Sequence, residues 1–409
     1  MRDRVFPFIR RCLTLVLSFI LAAFLAACGT VPQVRAQARL FLPLSLEFLG
    51  EYQLSDTQFR DTVVGGLSAI TYDRQTGRFY ALSDDRSQRA PARFYTLKLQ
   101  LDRDEGETSR SPKVEIEDVT FLHPAAGETY APGSLDPEGL AASPRGTVFV
   151  SSEGVPSLGI DPAIAEFDLA TGQLKDTLRL PQRYLLPNPD EPDTAPRGVQ
   201  ENLGFEALTL STPSIAPQDP FRLFAATESS LVQDREEPTT EQGPRVRLLH
   251  YVINPVGLPA LVSETLYVLD PAPTGSLSNG LTELVALERE GFWLSLERTY
   301  GFVGAGAKIF QVAGGDATDI SRVATLKGAS DVLHPLRKQL LFDLSELGIR
   351  LDNLEGMALG PRLPDGGQML MLVSDDNFNE EQITQFLLFR LVEGSRSIQT
   401  DSLSLKIKN

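Results

Sequence analysis

The sequence predicts an all-β fold: a β-propeller of five four-stranded blades, with six blades as the alternative, closed by the N-terminal strand. Three observations predict it. One hairpin pattern recurs five times in the 409 residues. Its opening positions, 68, 138, 206, 283 and 355, are separated by steps of 70, 68, 77 and 72 residues, the near-constant step of a repeat architecture. After about residue 40 the chain shows period-two alternation and no long helical period.

The fifth copy is the clearest. Glu355 opens the apolar run Gly356-Met357-Ala358-Leu359, Pro364-Asp365-Gly366-Gly367 turns the chain, and Met369 to Val373 leads to Ser374-Asp375-Asp376. A two-strand hairpin returns to the end it left, so its opening and closing acids share one end. Copy one runs from Ser68 to Ser83-Asp84-Asp85, copy two from Glu138 to Glu153, copy three from Glu206 to Glu228 and copy four from Glu283 to Glu297. In this alignment only Ser68 lacks the opening acid.

Further strands follow each copy. They are 93–101 and 114–122 after the first, 163–169 and 174–180 after the second, and 246–253 and 261–269 after the third. Residues 307–312 and 323–326 follow the fourth. Copy five has only 384–391, and the strand at 44–54 is left over at the other end. Pairing these two removes the exposed edges and closes the ring. A degenerate blade within 300–350 would make six. Two long polar loops, 187–200 and 229–245, are placed on the rim that carries the acids.

The N-terminus reads as a targeting segment. Arg2, Arg4, Arg10 and Arg11 precede the apolar run 13–25, which ends Leu25-Ala26-Ala27-Cys28, a lipobox. The organisation expected is a lipoprotein signal over 1–27, a tether over 28–43, the propeller over 44–395 and a polar tail over 396–409. Lipidation falls on Cys28, on the periplasmic face of a bacterial membrane. The alternative is cleavage after Ala36-Gln37-Ala38 and a soluble periplasmic or secreted protein. Cys12 leaves with the signal, so a disulfide and a cysteine-based metal site are both excluded. The lipid anchor is the only membrane contact expected, and the chain is expected to be a monomer.

Net charge is −16, and removal of four Arg and one Asp with residues 1–27 makes it −19. That excludes nucleic acid as a partner, since phosphate backbones need a basic footprint. The first strand of a propeller blade lines the central channel, so Glu138, Glu206, Glu283 and Glu355 should ring one mouth. Asp84, Asp85, Glu153, Glu228, Glu297, Asp375 and Asp376 should lie beside them. Crowded carboxylates raise one another's pKa, and a bound divalent cation relieves them. Calcium, which takes six to eight oxygens, is the expected cofactor. His123, His250 and His334 fall outside the repeat, which disfavours zinc and copper. An acid at a strand start also has a purely structural use, bonding loop amides. No serine-triad signature, G-x-S-x-G elbow or phosphate loop occurs.

Several stretches together resemble the phytase-like "esterase-like activity of phytase" family. They are Gly65-Gly66-Leu67-Ser68-Ala69-Ile70 with Tyr80 to Asp85, Asp136-Pro137-Glu138-Gly139-Leu140, Phe205-Glu206-Ala207-Leu208 and Asn353-Leu354-Glu355-Gly356-Met357. The resemblance covers about residues 46–395. It implies a secreted or periplasmic propeller, distantly similar to calcium-dependent alkaline phytases, that hydrolyses phosphate monoesters or other esters. The mechanism expected from the residues places calcium at the mouth to neutralise a small anionic ester and activate a water. Glu138, Glu206 and Glu355 belong to the catalytic set, and Arg86 and Arg298 clamp the anion; Lys308 and Arg93 are weaker candidates. The competing readings are a non-catalytic envelope propeller that binds a ligand or protein, with structural calcium, and a calcium-dependent lactonase.

Overall fold

A strand covered on both faces needs apolar residues on both, and blades packed face to face around an axis cover both. The structure, a computed structural model, describes residues 40–394 apart from 56, 104–109, 189, 191–194, 212–215, 238, 303 and 330–331. The signal, the tether before residue 40 and the polar tail lie outside the described residues.

Strand β1 (Leu44–Gln53) and a short ladder of β2 (Gln58–Phe59) with β3 (Thr62–Val63) come first. Blade one is β4 (Leu67–Asp73), β5 (Arg78–Ser83), β6 (Arg93–Arg103) and β7 (Arg110–Phe121). Blade two is β8 (Pro137–Ala142), β9 (Thr147–Ser152), β10 (Ala163–Asp168) and β11 (Leu174–Thr177). Blade three is β12 (Phe205–Ser211), β13 (Phe221–Thr227), β14 (Arg245–Ile253) and β15 (Ala260–Val268). Blade four is β16 (Ser276–Ala286), β17 (Phe292–Gly301), β18 (Gly304–Ala313) and β19 (Arg337–Asp343). Blade five is β20 (Asn353–Arg362), β21 (Gln368–Asp375), β22 (Gln385–Glu393) and, returning from the other end of the chain, β1.

All pairings within the blades are antiparallel. The inner strands touch in the cycle β4–β8–β12–β16–β20–β4, so five blades close the ring. The closure is the expected one: β1 pairs with β22 from Leu44 opposite Glu393 to Gln53 opposite Gln385.

Each strand serves two layers. On β13, Leu223 and Ala225 pack with Phe149 and Ile164 of blade two, while Phe224 and Ala226 pack with Trp293 of blade four. On β5, Phe79 faces blade five and Tyr80 faces blade two. Each such aromatic, fully buried, contributes on the order of 1.5–3 kcal/mol.

Two strand expectations are corrected. The fourth strand of blade four is β19, not 323–326. Residues 323–326 belong to a loop that covers the outer edge of blade three. Ile320 and Leu326 bury against Leu266, and Ile320 N and Leu336 N donate to the backbone of β15. The apolar spacing there seals an edge instead of forming a blade strand. In blade two the strand ends at Thr177, one further bond runs from Leu178 N to Ile164 O, and Leu178 and Leu180 pack into the core between blades two and three.

Candidate functional site

Every inner strand carries a β-bulge at the same place. The residue left unpaired is Ser68 in blade one, Glu138 in blade two, Glu206 in blade three, Thr282 in blade four and Glu355 in blade five. A bulge breaks the pleat and re-aims one side chain: Glu138, Glu206 and Glu355 line the mouth of the channel, while Ser68 Oγ donates to Glu138 O and Thr282 Oγ1 to Leu296 O. Two residues further along each strand come Ile70, Leu140, Leu208, Leu284 and Met357, all at most 2% exposed. These five close the channel beneath the acids with hydrocarbon.

This register corrects the fourth copy by one residue. Thr282, not Glu283, is the counterpart of Glu138, Glu206 and Glu355. Glu283 stands where the other blades have Ala69, Gly139, Ala207 and Gly356. It is 2% exposed, and its Oε1 accepts from the amides of Leu284 (2.8 Å) and Leu208 (3.2 Å). Burial drives its carboxyl well above the usual range, against the pull of those amides and that of Met357. Glu283 therefore ties inner strands together and does not reach the mouth. We expect Glu283→Ala to cost on the order of 1–3 kcal/mol by orphaning buried amides. Urea unfolding should show that loss, while cation affinity stays at the wild-type value.

The same slip applies to the closing acids. The residues just past the ladder partners are Asp84, Glu153, Glu228, Arg298 and Asp375, so blade four offers an arginine where the others offer acids. Glu297 takes the place of Ser83, Ser152, Thr227 and Ser374. It is 3% exposed and turns outward, accepting from Tyr267 Oη (2.5 Å) and Asp270 N (2.9 Å) and pairing with Lys338.

Asp85 and Asp376 are also structural. Asp85 pairs with the fully buried Arg93 at 2.6 Å and accepts from the amides of Arg89 and Ala90. Arg93 is thereby no anion clamp. Asp376 Oδ1 accepts from Gly66 N and Phe378 N, joining blade five to blade one. Lys308 lies beside Asp270 at 3.9 Å, in a side cavity outside the mouth.

The mouth is a cavity of about 290 Å³. It gathers Asp84, Glu138, Glu153, Glu206, Glu228, Glu355 and Asp375 with Arg86 and Arg298. Asp136, 1% exposed, joins them through Arg86, whose Nε donates to its Oδ1 at 2.5 Å. Arg86 Nη2 donates to Asn202 Oδ1 at 2.9 Å. Two strained turns frame this edge: Arg86 and Ser87, then Asn377 and Phe378, all have φ between 47° and 56° directly after an Asp-Asp pair. Gly66, at φ 59°, is required beside them, because a Cβ there would collide with Asp84 Oδ1. The two long loops do meet on this rim: Val232 N donates to Gly198 O, and Gln200 Nε2 to Ser230 O.

Across the mouth, Arg298 Nη2 donates to Glu228 Oε1 at 2.9 Å, and Nη1 donates to Asn353 Oδ1 at 2.6 Å and lies 3.4 Å from Glu355 Oε1. Asn353 Nδ2 bridges Glu355 Oε1 (2.8 Å) and Asp375 Oδ2 (3.4 Å). Sequence reading missed Asp136, Asn202 and Asn353, together with Tyr300, Asn377 and Gln382 on the cavity wall. Asp136 and Asn353 had a signal: each lies two residues before a bulged glutamate.

Eight carboxylates against two guanidiniums, over an apolar floor, set the electrostatics. Burial, then the charges of Asp375, Glu355 and Asp136, push the Asp84 carboxyl well above the usual range. Burial and neighbouring acids do the same to Glu138, Glu153 and Glu206. Burial raises Glu355 to about 8 against the opposing Arg298, and raises Asp375 to about 6. Asp84 Oδ1, Asp136 Oδ2 and Glu206 Oε2 are buried with no hydrogen-bond partner. Buried carboxylate oxygens are costly in that state, and a cation satisfies them. Asp136, Glu138 and Glu153 bring one oxygen each within 4.8 Å of one another, and so do Glu153, Glu206 and Glu228. An all-oxygen, carboxylate-rich set with one shared member fits hard divalent ions.

Fold and site together define a five-bladed propeller with a cation-competent acidic mouth. The chain belongs to the phytase-like family described as "Esterase-like activity of phytase", whose profile matches residues 62–378. No curated protein matches the chain. Among solved structures it is similar to the Dos1 propeller, at 8% identity over 79% of this chain and 68% of that one, TM-score 0.30. It is similar to the catalytic domain of a GH62 α-L-arabinofuranosidase from Coprinopsis cinerea, at 11% identity over 85% and 97%, TM-score 0.38. It is also similar to a calcium-binding protein, regucalcin, from Agrobacterium tumefaciens, at 12% identity over 85% and 96%, TM-score 0.35. At such values these likenesses bear on no property of the site.

Proposed function

We propose that the protein is an exported, calcium-dependent hydrolase of small anionic esters, phosphate monoesters foremost. The observation that carries this reading is one cavity lined by seven carboxylates and two arginines, with Asp136 held behind them by Arg86; three of these eight acids have a buried unsatisfied oxygen. Asp136, Glu138 and Glu153 would hold one cation, and Glu153, Glu206 and Glu228 a second. A bound cation neutralises the ester and makes water a better nucleophile.

The remaining roles fall to side chains outside the two trios. Arg298 and Arg86 grip the anionic oxygens of the ester. Asp375 and Glu355, held about 6 and about 8 on either side of Asn353, divide base from acid. Asp375 takes a proton from the attacking water as its oxygen bonds to phosphorus. The bond from phosphorus to the ester oxygen breaks, and Glu355 gives its proton to that oxygen, leaving an alcohol and inorganic phosphate. Activity should therefore rise with pH through about 6, as Asp375 ionises, and fall through about 8, as Glu355 does.

The test is turnover of p-nitrophenyl phosphate and p-nitrophenyl acetate with calcium or with chelator. Chelator-sensitive turnover, lowered at least a hundredfold by Glu138→Gln, is expected. A chelator-sensitive melting temperature with no turnover on either substrate would instead favour a binding propeller stapled by calcium. Among the described residues no helix is long and apolar enough to cross a membrane. The envelope location rests on the leader and Cys28, and Cys28→Ala should move the protein from the membrane fraction to the soluble one.

A further inference from the structure

Blade four differs from its neighbours in a second way. The strands β5, β9, β13 and β21 end at or just before the ring position, at Ser83, Ser152, Thr227 and Asp375. β17 continues three residues past Arg298 to Gly301, paired with β16 on one side and β18 on the other. Alternate residues of a strand share a face, so Tyr300 stands on the face of Arg298, about 7 Å further out. Tyr300 and Arg298 both line the mouth. The residues opposite Tyr300 are Ser278 and Ala305, both small, and the tyrosine is left 48% exposed.

An acidic mouth repels anions everywhere except at its guanidiniums, and Arg298 is the one set into the ring of closing residues. An ester anchored there has its organic group directed along β17, over an open phenol ring. Offset stacking of a flat ring on Tyr300 is worth about 0.5–1.5 kcal/mol beyond the area buried. Arg298 and Tyr300 are spaced for a small compound whose ring is joined to the anion directly or through a single oxygen.

We infer that Tyr300 is a specificity-determining residue that selects esters with an aromatic leaving group, an inference that rests on the hydrolase reading above. The products are a phenol and inorganic phosphate, with one water consumed.

The experiment compares phenyl phosphate with ethyl phosphate as substrates, and phenylphosphonate with methylphosphonate as inhibitors, on the full-length calcium-loaded protein. The phosphonates are not hydrolysed, so they report fit and not leaving-group reactivity. Phenylphosphonate should inhibit more tightly than methylphosphonate. Tyr300→Ala should weaken it about threefold to tenfold and lower kcat/KM for phenyl phosphate alike, with the ethyl and methyl compounds unchanged. Tyr300→Phe should keep the preference, because the ring and not the hydroxyl makes the contact. Equal losses on aryl and alkyl compounds, or no change in Tyr300→Ala, would overturn the inference and leave the hydrolase standing. Absence of turnover on both substrates would overturn the hydrolase reading and the inference with it.

Discussion

Calcium added to the chelated protein should raise its melting temperature and release protons. Acids whose pKa is raised by burial and mutual repulsion hold their protons to higher pH than free carboxylates do, and a cation needs them ionised. Binding therefore strengthens as pH rises. Occupancy at a hundredfold excess over Kd stabilises by about 2.7 kcal/mol per site. The chelated protein has the opposite trend with pH. Glu355 moves from 4.5 to about 8 on folding, so the stability it contributes is present below 4.5 and is lost as pH rises through about 8. Glu153→Gln touches both trios and should abolish the thermal shift, whereas Glu283→Gln should leave it intact. Calorimetry in two buffers of different ionisation enthalpy measures the protons; an absence of both shift and proton release would contradict the site.

Arg247→Met should cost about 3–5 kcal/mol, the largest stability loss expected of a single replacement outside the apolar core. Arg247 is 1% exposed and sits between two buried acids. It donates to Asp234 at 2.5 and 3.0 Å and to Glu264 at 3.4 Å. Its Nη1 also holds Val323 O at 3.0 Å, and Asp234 Oδ1 accepts from Leu326 N at 2.7 Å. One guanidinium thus satisfies two buried charges and pins the loop that covers blade three. Removing it strands Asp234 without a counter-charge. The double variant Arg247→Met/Asp234→Leu should recover part of the loss, since the orphaned charge goes with it. Urea midpoints with an unchanged m-value test both; a single-variant cost below about 1 kcal/mol would contradict this account.

The blade count and the closing strand were legible because they depend only on a repeated hairpin and on counting leftovers. Register was not. At blade four, Thr282-Glu283-Leu284 and Glu297-Arg298 place an acid one residue from the ring position in both strands, and a match by residue type lands on it. A one-residue slip turns a strand side chain to the other face, so Glu283 and Glu297 leave the mouth, Arg298 enters it, and Thr282 takes the bulge position. The large apolar residue two places after each opening position, Ile70, Leu140, Leu208, Leu284 or Met357, carries the true phase. Asp85 and Asp376 were misassigned for a different reason. Adjacent acids point to opposite sides, and only the first of each pair faces the mouth. The edge-covering loop at 320–326 has the apolar spacing of a strand, and its packing on Leu266 and its hydrogen bonds to β15, Asp234 and Arg247 distinguish its role.

The most direct measurement is a crystal structure of the protein grown in calcium, with anomalous scattering used to place the ions. The account predicts ions bounded by Asp136, Glu138 and Glu153 and by Glu153, Glu206 and Glu228, with Glu283 and Glu297 touching neither. A mouth without ions at saturating calcium, or ions bound by Asp85, Glu297 or Asp376, would contradict it.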